Sequence, residues 1–250
     1  MAIPIKLSNR SFDSQASALA HYKAILHRYA DGDHITDPKD HTDLVELLEY
    51  YDTVLEEAGE PVKGEGQILH FGRRLNKGNS WSTSGFWVIR KDGTDDDFSY
   101  IWAVMGRTKG KDENFNSACR EAVSPDVTAE KKRAFAKYAN DAGLISCEIC
   151  SDLIPLNKTE FDHERPFFKQ IVWGFRIRKG WSKKIPDDVI TQPKNRQVTT
   201  TFTESTLVDE FREYHHSVSK KTRILCGGCN RQAAPLARNI KLQQIIAYKS

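Results

Sequence analysis

Three scarcities bound what this 250-residue chain can be. Nowhere does it approach the roughly 18 consecutive apolar residues of a membrane-spanning helix, and its opening MAIPIKLSNRSF has no long apolar run of the signal-peptide kind. That pattern excludes a membrane partner and gives a soluble, cytoplasmic protein as the expectation. No internal repeat or low-complexity tract is found, which excludes a repeat array. Cysteine is the third scarcity: five residues in all, four of them in two CxxC pairs. In a reducing compartment that placement favours metal over disulfides.

What is present is ordinary in bulk. Hydrophobic residues make up 39% and charged residues 28%, as in a soluble globular protein, and the length suits one large or two ordinary domains. The net charge of +3 hides an asymmetry. Residues 164–250 carry 17 Lys/Arg against 7 Asp/Glu, a balance of +10, whereas residues 1–163 carry 20 against 27, a balance of −7. A basic C-terminal segment suits a polyanion such as DNA, because phosphates must be held against whatever carboxylate works on them.

The two pairs are Cys147/Cys150 and Cys226/Cys229. A two-residue spacer lets both sulfurs of a pair reach one metal about 2.3 Å away, so the two pairs supply four thiolates to one tetrahedral Zn²⁺. Closing that site draws together Asp162-His163, which lie between the pairs, and Asn230, which follows the last cysteine. The fifth cysteine, Cys119, stands alone and reads as a small buried hydrophobe.

FDHERPF (161–167), LCGGCNRQ (225–232) and the lead-in FREYHHSVSKKTRI (211–224) resemble the HNH (ββα-metal) nuclease superfamily, in the subgroup held by a four-cysteine zinc site. The likeness covers roughly residues 144–240. It implies His163 as general base, Asp162 and Asn230 as oxygen ligands of one Mg²⁺ or similar cation, a purely structural zinc, and 5′-phosphate and 3′-hydroxyl products. Arg165 and Arg231 are candidate phosphate contacts, and the role of His215 and His216, on the helix before the second knuckle, is left open between ordinary surface or core histidines and one that packs behind the site or touches a phosphate. Gly227 and Gly228 suit the tight second knuckle, since without Cβ atoms they let the amides turn towards sulfur. His163 and Cys226 are 63 positions apart, so an inserted segment over 176–205 must loop out.

Upstream, helical spacing of apolar residues predicts helices over 11–30 and 42–58. From Gly64 the period becomes strand-like, and QILHFGRR, SGFWVIRKDG and DFSYIWAVMG read as three strands of a small antiparallel sheet, with a hairpin corner at Asp92-Gly93. Lys63, Gly64 and Gly66, with RKDG (90–93) and DFSY (97–100), resemble the DCL (defective chloroplasts and leaves) family over roughly residues 9–105. Arg73, Arg74, Lys77 and Trp81, on the Gly- and Ser-rich connection 72–85, are candidate DNA contacts. A charged helix capped by Asp126 or Thr128 is predicted over 126–142. Pro166 is placed in the first turn of a helix through 175, a further helix over 206–219, and a short strand over 223–225.

The reading is an α+β protein: N-terminal helices with a small antiparallel sheet, then a zinc-stabilised ββα-metal domain. The boundaries are 1–110 for the DCL-like domain, 111–143 for a helical linker and 144–250 for the nuclease domain. The expected activity is divalent-metal-dependent cleavage of double-stranded DNA in a restriction role, including one that requires a modified base. Since a double-strand cut by a single-site nuclease takes two copies, a homodimer is the expectation from symmetry. A homing or phage nicking nuclease, and a zinc-ribbon module that binds nucleic acid without cutting, remain the alternatives.

Overall fold

The polar start of the chain folds back on itself, Ile5–Lys6 (β1) pairing antiparallel with Ser11–Phe12 (β2). Ser14 then closes a capping box with Ser17 at the head of α1, Gln15–His27. This computed structural model describes residues 3–78, 82–194 and 196–238, with side chains as far as Ala233.

The second helix, α2 (Pro38–Ala58), starts a turn earlier than expected. Asp37 caps it by accepting the Lys39 and Asp40 amides, and Pro38 fills the first turn, where its missing N–H costs nothing. Strands β3 (Ile68–Lys77), β4 (Ser82–Arg90) and β5 (Asp95–Phe98) form one antiparallel sheet in that order. The corner at Gly93 has φ 84°, and Asp92 accepts from the Thr94 amide.

The third apolar run departs from the expectation. Its second half, Tyr100–Met105, is a short helix, α3, that buries Ala103 and Val104 and ends at Gly106 with φ 60°. It packs on α1 and α2, so the apolar residues meet a helical layer rather than a fourth strand. Tyr22, Leu44, Leu47, Phe71, Phe86 and Phe98 are all buried in the single core of helices on sheet.

The chain divides into two compact units after Gly110, the tip Gln192–Thr200 of the later segment belonging with the first. Within that first unit the Arg196 amide donates to Asp96 Oδ1 at 2.6 Å and its guanidinium pairs with Asp95.

The second unit opens on α4, Lys111–Tyr138, one helix of 28 residues running through Pro125. The stretch expected to link domains is therefore part of a domain. Its first half buries Phe115, Ala118, Cys119, Ala122 and Val123; a proline inside a helix costs about 3 kcal/mol, and burying Phe115 and Val123 contributes at least about as much. Asp126, expected as a cap, sits mid-helix.

After α4 come β6 (Leu144–Ser146) and β7 (Leu153–Pro155), paired antiparallel, then β8 (Thr159–Arg165) and α5 (Phe168–Arg178). Phe167 is the N-cap of α5, so Pro166 lies before the helix and not in its first turn. The inserted stretch returns through an Ile190–Phe202 bridge to α6 (Ser205–Val218), β9 (Lys221–Cys226) and α7 (Gly227–Arg238). Strand β9 pairs antiparallel with β8, and α7 packs on both, giving a strand–strand–helix unit.

Two apolar clusters support it. One joins α4, α5 and α6 through Phe115, Phe175 and Phe211; a smaller one, with Phe135, Ile145, Ile154, Ile224 and Leu225, includes Cys147 and Cys229. No helix among the described residues is long and apolar enough to cross a membrane.

Candidate metal centre and histidine cleft

The first knuckle is the turn between β6 and β7. The Cys147 amide donates to the Asp152 carbonyl at 2.8 Å and the Ser151 amide returns to the Cys147 carbonyl at 2.9 Å, with Ser151 itself at φ 64°. The second knuckle is the β9–α7 junction, where the Cys229 amide donates to Cys226 Sγ at 3.4 Å and the Cys226 amide to Cys147 Sγ at 3.3 Å. Glu148 ties the two together: its amide donates to the Ile224 carbonyl at 3.0 Å and its carboxylate accepts from the Ile224 amide at 2.6 Å.

All four sulfurs lie within 4.8 Å of one another, and Cys150 Sγ is 3.8 Å from Cys226 Sγ. Tetrahedral geometry with metal–sulfur bonds of about 2.3 Å sets sulfurs about 3.8 Å apart, so the cluster can hold a metal ion such as zinc. Burial opposes ionisation of Cys147, but amides of Cys150, Cys226 and Ile149 bring its thiol down to about 6, whereas the Cys150 and Cys229 thiols stand above the ordinary range, so Cys147 is the sulfur most ready to be a thiolate.

Gly227 and Gly228 are not what makes the second knuckle tight. Neither has a positive φ; a Cβ on Gly228 would sit 3.7 Å from Cys226 Sγ, an ordinary contact, and one on Gly227 3.3 Å from Arg231 Nη1, the far end of a flexible side chain. Cys119 is buried outside the cluster, its thiol pushed up by desolvation.

His163 and Asp162 are neighbours on β8, and a strand sends neighbours to opposite faces. The buried His163 ring lies against Phe168, with its Nε2 2.7 Å from Nε2 of His215 on α6. Both rings line a cleft of about 380 Å³ that Asp126, His216, Arg133 and Lys220 also line. On the other face the Asp162 carboxylate is taken by its cross-strand partner, Arg223 Nε and Nη2 reaching Oδ2 at 2.9 and 2.8 Å. Asn230 is half-buried in the first turn of α7. Its oxygen and that of Asp162 suit a hard cation chemically, but Arg223 already neutralises the carboxylate. Among the described residues the four cysteines are the one group of three or more His, Cys, Asp or Glu side chains gathered closely enough for an ion.

Asp126 is the residue of this site that the sequence disguised. It accepts both arms of the Arg212 guanidinium, at 2.8 and 2.6 Å, and lies 3.2 Å from His216 Nε2, clamping α6 to α4. Its local signal was that of a helix cap, because the partner it holds, Arg212, is 86 positions away.

Desolvation pulls His163 down to about 4, helped by the Arg120 charge, and pulls His215 to about 4, helped by His163 and His216. Both rings are thus neutral at neutral pH. The unfolded chain takes these protons near pH 6.5 and the folded one only near 4, so folding stability is complete above about 6.5 and falls as pH drops from 6.5 to 4, by on the order of 3 kcal/mol per ring at most. Ring resonances of both histidines followed by NMR should titrate near pH 4; midpoints near 6.5 would refute the burial account.

The expected DNA contacts fare unevenly. Arg73 is occupied within the first unit: Nε donates to Asp31 at 2.8 Å, Nη1 to the carbonyls of Leu26 and Tyr29 at 3.0 and 2.6 Å, and Nη2 to Ser84 at 3.1 Å. It satisfies carbonyls at the end of α1, where a helix leaves them unpaired. Arg73→Met should therefore destabilise that unit by about 2 kcal/mol, and Arg73→Lys should recover little because it lacks the fork; equal denaturation midpoints would refute this. Arg74 pairs with Asp95 at 2.6 Å and stacks over Trp87, while Lys77 is exposed at the end of β3. Trp81 lies outside the described residues. Arg165 and Arg231 are exposed, at the end of β8 and in α7.

Residues 23–104 match the model of a family described as a protein of unknown function, DUF3223. The solution structure of an uncharacterized protein from Rhodospirillum rubrum is 30% identical, over 41% of this chain and 89% of that one, with a TM-score of 0.34. No curated protein matches the chain. The helices and sheet of the first unit, over residues 23–104, are therefore similar to a family whose description assigns no activity.

Proposed function

We propose that this chain is a zinc-stabilised DNA endonuclease of the HNH (ββα-metal) type, hydrolysing phosphodiester bonds of duplex DNA to 5′-phosphate and 3′-hydroxyl ends in a restriction role. The observation that carries the reading is the β8–β9–α7 unit closed at one end by four converging cysteines and presenting a buried, neutral His163 to a cleft rimmed by Arg133 and Lys220. His163 would take the proton of the attacking water, and zinc, with four thiolates filling its sphere, would serve only the fold. Asp162 and Asn230 would hold the hard cation, whose chemistry is to neutralise charge on the phosphate. That requires Arg223 to release the carboxylate, and the carboxylate to turn toward the His163 cleft, which neither Asp162 nor Asn230 lines. The DCL-like first unit would contribute recognition, including that of a modified base.

The Arg223–Asp162 pair favours a second reading, a zinc ribbon that binds nucleic acid without cutting, since a carboxylate held by arginine is a poor metal ligand. Methylated and unmethylated supercoiled plasmid incubated with the protein in Mg²⁺ or EDTA separates the two. Linear product in Mg²⁺ alone supports the restriction nuclease, and nicked circles alone point to the homing or phage nicking class. Retarded but intact plasmid under every divalent metal would establish the ribbon instead.

A further inference from the structure

We infer that Arg120, on α4, is a nucleic-acid contact whose guanidinium binds a backbone phosphate flanking the His163 cleft. The contact rests on the nucleic-acid part of the reading above, which its cutting and non-cutting forms share.

Other arginines packed around α4, α5 and β9 are already taken. Arg176 pairs with Asp112, Arg212 with Asp126 and Arg223 with Asp162, at 2.9, 2.6 and 2.8 Å. Arg120 has no carboxylate partner among the described residues. Its guanidinium carbon lies 4.5 Å from the centroid of the Phe168 ring, which covers one face and offers no lone pair to the N–H groups. Packing strips part of its hydration and holds its pKa below the ordinary arginine value. A cation left in that condition is compensated by an anion from outside. The side chain still reaches solvent, so such an anion has access.

The surroundings attract negative charge without supplying it. Phe168 opens α5, whose N-cap Phe167 provides no capping side chain and whose first turn has no acidic residue. The Phe168 and Lys169 amides, at the positive end of that helix, therefore have no partner within it. Lys169 itself is exposed. On the inner side, the Phe168 ring lies 5.4 Å from that of His163. Along α4, Val127 stands two turns beyond Arg120 on the same face and lines the His163 cleft, about 10 Å away at about 1.5 Å per residue. A DNA strand carries one phosphate per about 3.4 Å of axis. A strand crossing the cleft thus brings a phosphate about three steps along it to Arg120.

Fluorescence anisotropy of duplex DNA titrated with the zinc-loaded full chain, repeated across salt concentrations, tests the assignment. Arg120→Met, which keeps a flexible side chain over Phe168, should weaken binding roughly tenfold at about 50 mM salt and make the slope of log K against log salt shallower by about 1. Arg120→Lys, which keeps the charge, should retain most of that slope. Lys179→Met removes a cation already paired with Glu210 at 2.6 Å and should change neither quantity. Equal affinity and slope for the wild type and Arg120→Met, or an equal loss in Lys179→Met, overturns the inference and leaves the nucleic-acid reading standing. A wild type that binds no duplex overturns both. Should Arg120→Met not fold, Arg120→Gln carries the same comparison.

Discussion

Cys226→Ser should abolish zinc binding at the four-cysteine site and unfold the strand–strand–helix segment, the largest stability effect expected of any single substitution here. The apolar cluster around the site is small, and Cys147 and Cys229 are themselves part of it. A cluster of that size cannot offset the chain entropy of ordering β6 to β9 and α7. Structural zinc in small domains contributes on the order of 10–16 kcal/mol at neutral pH, as much as the whole stability of a typical domain. Serine supplies no thiolate, and Cys226 Sγ also accepts the Cys229 amide, so the substitution loses a ligand and a turn at once. The metal content of the purified protein should fall from one zinc per chain to none, and the strand–strand–helix segment should lose its cooperative thermal transition, while the α4–α5–α6 core, which holds none of the four cysteines, keeps its own. The first unit, whose core holds no cysteine, should keep its own transition. Because Cys150 is exposed, a chelator should reproduce the effect in the wild type. A Cys226→Ser protein that retains zinc and melts at the wild-type temperature would refute the single-site account.

His163→Ala should lower plasmid cleavage by about 10²- to 10⁴-fold, the range over which a general base acts, with zinc content unchanged. The sulfurs and the imidazole belong to different surroundings: His163 packs on Phe168 and His215, and none of the four cysteines lies in its cleft. Removing a buried ring leaves a cavity, so some loss of stability accompanies the change. His163→Gln, closer in volume, serves as the control that separates folding from chemistry. Cleavage by both variants at the wild-type rate would end the assignment of His163 as base, whatever the fold.

Much of the scaffold was legible because it depends on neighbours in sequence. The helical spacing of apolar residues in α1 and α2 and the Asp92-Gly93 corner are local signals, and helices and turn form in those stretches. The errors share a cause. Tyr100–Met105 became a helix because α1 and α2 wait to cover it, which no strand-like composition reveals. Pro125 hid the continuity of α4, since the burial that outweighs it comes from Phe175, Phe202 and Phe211, far along the chain. Asp37-Pro38 is a local signal too, for the pair caps and opens α2.

The sequence by itself determined which atoms can hold a metal: a two-residue spacing brings both thiols of a pair within reach of one ion, and that geometry travels with any fold. It also determined the α+β class, through the change from helical to strand-like spacing. Only the tertiary structure decided what each side chain spends its polar groups on. Arg73 caps a helix, Asp162 turns to Arg223, and His163 meets His215 from 52 positions away. The reason is physical: a polar group taken out of water must find a partner, and the partner nearest in space is fixed by packing rather than by order along the chain.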